Sequence, residues 1–81
     1  MNQLNFMRLV KEALHAMQAA GEVDDFRAEL YQDGVKVLVS KGDRRAMSKF
    51  YPDRRSDAAM TDHVVRTITL LLQPIEGHIY G

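Results

Sequence analysis

Apolar residues fall at helical spacing at the start of the chain. Phe6, Met7, Leu9, Val10, Ala13, Leu14 and Met17 share one side of a helical wheel, and Arg8, Lys11, Glu12, His15 and Gln18 share the other. This predicts an amphipathic helix over about residues 5–20. Asn2 or Asn5 suits its start, and Gly21 suits the position just past its end.

The period then changes from 3.6 to 2. Phe26, Ala28 and Leu30 alternate with Arg27, Glu29 and Tyr31, and Val35, Val37 and Val39 alternate with Lys36, Leu38 and Ser40. Asp33-Gly34 lies between these runs and is a strong hairpin signal. If those two residues form the loop, Gln32 faces Val35, Leu30 faces Val37 and Ala28 faces Val39. Strands over about 26–32 and 35–41 follow. Gly42-Asp43 offers a second tight turn, leading to a third strand over about 44–51. Ala46, Ser48 and Phe50 would join the buried face, and Arg45, Met47, Lys49 and Tyr51 the other. A short helix at 44–50 is the rival reading. The strand is preferred because a lone two-stranded hairpin is marginal.

Tyr51-Pro52-Asp53 reads as a turn. Ser56 suits the cap of a second helix over about 57–73, with Asp57 in its first turn. Met60, Val64, Val65, Ile68, Leu71 and Leu72 form the apolar stripe, and Pro74 stops the helix. In the tail, 74–81, Ile75, Ile79 and Tyr80 are candidates for docking on the core. The order α-β-β-β-α, with one apolar face per element, predicts an α+β fold of two layers in a single small domain, residues 1–81. Both helices pack on one face of a three-stranded antiparallel sheet.

Such a fold leaves the other sheet face bare. It would display Arg27, Glu29, Tyr31, Lys36, Leu38, Ser40, Arg45, Met47, Lys49 and Tyr51, with Leu38 opposite Met47 and Tyr31 opposite Lys36. Apolar and aromatic side chains ringed by Arg and Lys match the composition of interaction surfaces. Scattered exposed apolar residues are also common on ordinary surfaces.

Charge sharpens this picture. The chain has eleven basic and eleven acidic side chains, yet Lys41 to Arg55 holds six of the basic ones (Lys41, Arg44, Arg45, Lys49, Arg54, Arg55) against Asp43 and Asp53. The remainder carries five basic and nine acidic residues. A positive lobe of this kind steers an acidic partner toward one surface. Local pairing of each Asp with a neighbouring Arg is the structural alternative, with exposed pairs contributing about 0–1 kcal/mol.

Composition narrows the remaining chemistry. The absence of Cys excludes disulfides and thiolate metal sites. A core of this size supplies roughly 3–5 kcal/mol net, which makes homodimerisation one route to further stability. His15, His63 and His78 lack ligand spacing, no Gly-rich phosphate loop is present, and His63 falls on the polar side of its helix. No cofactor or catalytic site is expected, and an enzyme is not expected. No apolar run reaches membrane-spanning length, and Met1 to Val10 lacks a signal-peptide apolar region, so a cytoplasmic location is expected.

The element order resembles that of the double-stranded-RNA-binding domain, over most of the chain. The resemblance implies the two-layer fold. That family reads RNA with its first helix, its first inter-strand loop and a Lys cluster opening its second helix. Here Asp33-Gly34 is too short to reach a groove, and the second helix opens Ser56-Asp57-Ala58-Ala59. Arg54 and Arg55, just before it, are a partial match. Order alone does not transfer function.

The expected function is a small non-enzymatic regulatory module, an adaptor or inhibitor. It would dock an acidic protein surface, or pair with itself, through Tyr31, Lys36, Leu38, Arg44, Arg45, Met47, Lys49, Tyr51, Arg54 and Arg55. The alternative is nucleic-acid binding, with the basic segment on phosphates and Tyr31 and Tyr51 stacked on bases. A neutral chain with pI near 6.8 weighs against it.

Overall fold

The computed structural model describes residues 2–73. The elements are α1 (Gln3–Ala19), β1 (Asp25–Tyr31), β2 (Gly34–Lys41), β3 (Arg44–Phe50) and α2 (Asp57–Leu72). The strands form one antiparallel sheet in the order β1-β2-β3, and residues 44–50 are strand rather than helix. The expected tail contacts of Ile75, Ile79 and Tyr80 lie outside the described residues.

Both helix ends follow from local chemistry. The Asn2 side chain accepts the Asn5 N–H at 2.8 Å, which places the start of α1 at Gln3, two residues before the expected Asn5. At its other end Glu22 N–H donates to Met17 C=O at 2.8 Å and Gly21 N–H to Gln18 C=O at 3.0 Å. With Gly21 at φ +77° this is a Schellman cap, which needs a left-handed residue and so favours glycine. The turn drops Val23 into the core, 1% exposed. The Ser56 hydroxyl caps α2 by accepting the Ala59 N–H at 3.2 Å. Gln73 is extended at the other end, as the residue before a proline prefers.

Both helices cover the same sheet face. α1 packs on β1 and β2, and α2 packs on β3 and, less extensively, β2. The core comprises Phe6, Val10, Ala13, Leu14 and Met17 of α1, the three valines of β2, Phe50, and Met60, Val64, Ile68 and Leu72 of α2, with Val23 from the connector. None of its members is polar, so burial sets no hydrogen-bonding demand on the side chains.

The first hairpin departs from expectation. Its loop is Gln32-Asp33, not Asp33-Gly34, and Tyr31 faces Gly34. Leu30 therefore faces Val35, Ala28 faces Val37 and Phe26 faces Val39, and Tyr31 does not face Lys36. The pairing has moved by two positions, which preserves the face of every side chain because the strand period is two. Two contacts explain the shift. A Cβ at Gly34 would strike the Phe50 carbonyl oxygen and come within 2.5 Å of the Tyr51 ring, so glycine is required here by close approach. The left-handed turn position falls instead on Gln32, at φ +52°, and the Gln3 side-chain amide steadies it by donating to the carbonyls of Gln32 (2.8 Å) and Gly34 (3.0 Å).

Burial is weaker at the periphery than the pattern implied. Leu30 lies at the hairpin end of an edge strand and is 50% exposed. Ala46 and Ser48 on β3, the other edge, are half-buried, and Leu71 falls at the rim of the α2 stripe and is exposed.

Candidate functional site

The uncovered face is a grid built by strand pairing. Its successive cross-sheet rows are Asp25–Ser40–Arg45, Arg27–Leu38–Met47 and Glu29–Lys36–Lys49, followed by Tyr31–Gly34 with Tyr51 just past the end of β3. Leu38 stands opposite Met47, as the pattern predicts, and both are exposed, at 38% and 51%. Beside them is a shallow depression of about 500 Å³, lined on this face by Asp25, Arg27, Leu38, Ser40, Arg45 and Met47. Arg27, Ser40 and Asp25 were not among the expected binding residues. Strand parity combined with register is the signal that places them here.

The Glu29–Lys36–Lys49 row would be unfavourable on the lysines alone, since like charges directly opposite one another repel. Lys36 reaches Glu29 at 3.7 Å. Lys49 leans across to Tyr31, with its ammonium 4.5 Å from the ring centroid and donating to the phenol oxygen at 3.2 Å. Lys36 lies 6.0 Å from the same ring. The bare Cα of Gly34 between the two tyrosines leaves space that the Tyr51 ring occupies. Tyr31, Lys36 and Tyr51 thus have roles inside the protein, as does Lys49 in part.

The basic segment of the sequence does not form one cluster in space. Arg44 and Arg45 lie at the Gly42-Asp43 end of β3, and Arg54 and Arg55 follow its other end. At about 3.3 Å per residue, the strand between them is roughly 20 Å long. Lys41 turns away to bridge the connector, donating to Gly21 C=O at 2.6 Å and lying 3.6 Å from the Asp24 carboxylate. Arg55 binds Asp53 at 2.6 Å, the local pairing considered above, and its own N–H donates to the same carboxylate at 2.8 Å. Asp43 makes no such pair among the described residues. Arg44, Arg45, Lys49 and Arg54 have no carboxylate within 4 Å among the described residues.

Among the described residues, Asp24 is the one titratable group with a distinct shift. Its carboxylate accepts the Gly42 N–H at 2.7 Å, which holds its pKa below the ordinary value. Desolvation opposes that effect and Lys41 reinforces it. The contact ties the connector after α1 to the β2–β3 turn. His15 and His63 each stand edge-on to a phenylalanine, Phe26 at 4.9 Å and Phe50 at 5.7 Å. His63 is half-buried rather than the simple surface residue its position on the wheel implied.

No helix among the described residues is long and apolar enough to cross a membrane. Comparison with known protein families, curated proteins and solved structures finds no match for this chain.

Proposed function

We propose that the protein is a non-enzymatic binding module, an adaptor or inhibitor, that docks an acidic protein surface on its open sheet face. One observation carries this reading: an exposed Leu38–Met47 pair borders Arg45, a cation with no carboxylate partner among the described residues. Apolar side chains at a patch centre with Arg at the rim are the composition that interfaces favour. The face carries Arg27, Lys36, Arg45 and Lys49 against Asp25 and Glu29 and so keeps a positive excess, and stacking two copies face to face would set like charges together. An acidic partner fits the charge better than a second copy. Nucleic acid fits less well, because Lys49 occupies one side of the Tyr31 ring and the cations at the two ends of β3 are far apart.

The test is capture from a cell lysate on immobilised wild type, Leu38→Asp/Met47→Asp and Arg44→Glu/Arg45→Glu, with and without nuclease. The expected result is a defined acidic protein held by the wild type, lost with both variants and indifferent to nuclease. Equal retention on all three rejects the docking face. Retention that disappears with nuclease favours nucleic acid instead.

A further inference from the structure

The two edges of the sheet differ in what is available to a new strand. The Gly42-Asp43 turn makes Lys41 and Arg44 the hydrogen-bonded pair that closes the β2–β3 hairpin, and bonded pairs alternate from there. Arg44, Ala46, Ser48 and Phe50 therefore direct their N–H and C=O groups to β2, and those of Arg45, Met47 and Lys49 point away from the sheet. No other backbone bond engages them among the described residues. The same reasoning turns Phe26, Ala28 and Leu30 outward on β1. There Asp25 already blocks the edge by accepting the Phe26 N–H at 2.9 Å, and Arg27 and Glu29 approach each other at 3.9 Å.

β3 thus combines three outward backbone positions with Arg44, Arg45 and Lys49, none of which has a carboxylate within 4 Å among the described residues. Arg45, Met47 and Lys49 are also the residues whose side chains stand on the open face. We infer that the β3 edge accepts an extended acidic segment of the partner by antiparallel strand addition. Main-chain bonds then supply affinity and alternate side chains supply specificity. This rests on the protein-binding reading and specifies its mode. Pairing fits acidic residues opposite Arg45 and Lys49 and an apolar residue opposite Met47. A second copy is a poor occupant, because antiparallel β3–β3 pairing centred on Met47 would set Arg45 against Lys49.

The probe is a synthetic peptide reading Glu-Thr-Val-Thr-Glu within neutral flanks, titrated into the isotopically labelled full chain. The expected result is saturable binding, with slowed amide exchange at Arg45, Met47 and Lys49. N-methylation of the Glu and Val amides, which would face β3, should weaken binding by at least about tenfold, and N-methylation of the Thr amides should not. Replacing both Glu by Lys should abolish it. Equal losses from the two methylation patterns overturn strand addition, as does binding with no added protection at those three amides. No binding at all also overturns it. In each case, continued dependence of lysate capture on Leu38 and Met47 would leave the docking face standing, and loss of that dependence would remove the broader reading as well.

Discussion

The two sides of β2 present the same strand in opposite roles. Val35, Val37 and Val39 are at most 4% exposed beneath the helices, whereas Lys36, Leu38 and Ser40 meet solvent on the other side. Core packing accounts for every valine. It accounts for neither Leu38 nor its neighbour Met47, because no element among the described residues covers them. One side of the sheet holds the core together, and the other carries Leu38, Met47 and Arg45, which no described residue buries or pairs with a carboxylate.

The sharpest way to break this comparison is to truncate each side in turn. Leu14→Ala or Ile68→Ala on the covered side should cost about 2–5 kcal/mol, a large fraction of the stability of so small a core. Leu38→Ala on the open side should stay within about 0.5–1 kcal/mol. Urea unfolding monitored by circular dichroism measures both, and similar losses would mean that the open side also supports the fold.

Gly34 joins the two sides and should show an intermediate effect. Gly34→Ala drives a Cβ into the Phe50 carbonyl and the Tyr51 ring and should destabilise by roughly 1–3 kcal/mol. The same unfolding curves report it. A smaller effect of opposite sign is expected next to it. Gln32→Gly removes the strain of a left-handed glutamine and should stabilise by about 0.5–1 kcal/mol. Loss of stability there would show that the Gln3 contacts already compensate the strain in full.

The mildest effect is a pH dependence at the far end of the sheet. The Asp24 pKa is lowered on folding, so its contribution is complete above the unfolded value near 3.8 and is lost as pH falls through the lower folded value. Protection of the Gly42 amide, taken relative to its intrinsic exchange rate, should fall over that acid range and should be low at neutral pH in Asp24→Ala. Unchanged Gly42 exchange in that variant would remove the tie between connector and turn.

Much of this architecture is legible in the alternation of apolar and polar residues. The change of period from 3.6 to 2 and back places all five elements, and Leu38 opposite Met47 follows from counting out of Gly42-Asp43. The first hairpin was less transparent because Asp-Gly is a strong turn signal and Gly34 serves a different need, the approach of Phe50 and Tyr51 from β3. That need is tertiary, and no local pattern reveals it. The basic segment misleads for the same reason. Neighbours in sequence become opposite ends of a strand, and whether Lys41 or Arg55 is free depends on Asp24, Gly21 and Asp53. Arg27 illustrates the converse, since only register brings it beside Leu38.

The central claim is that the open side binds while the covered side folds. Its most direct test is the affinity of Leu38→Asp/Met47→Asp for the captured partner, measured on protein whose urea midpoint matches the wild type. The account predicts binding weaker by at least about tenfold, as expected when central anchors are lost. Wild-type affinity in that folded variant would contradict it.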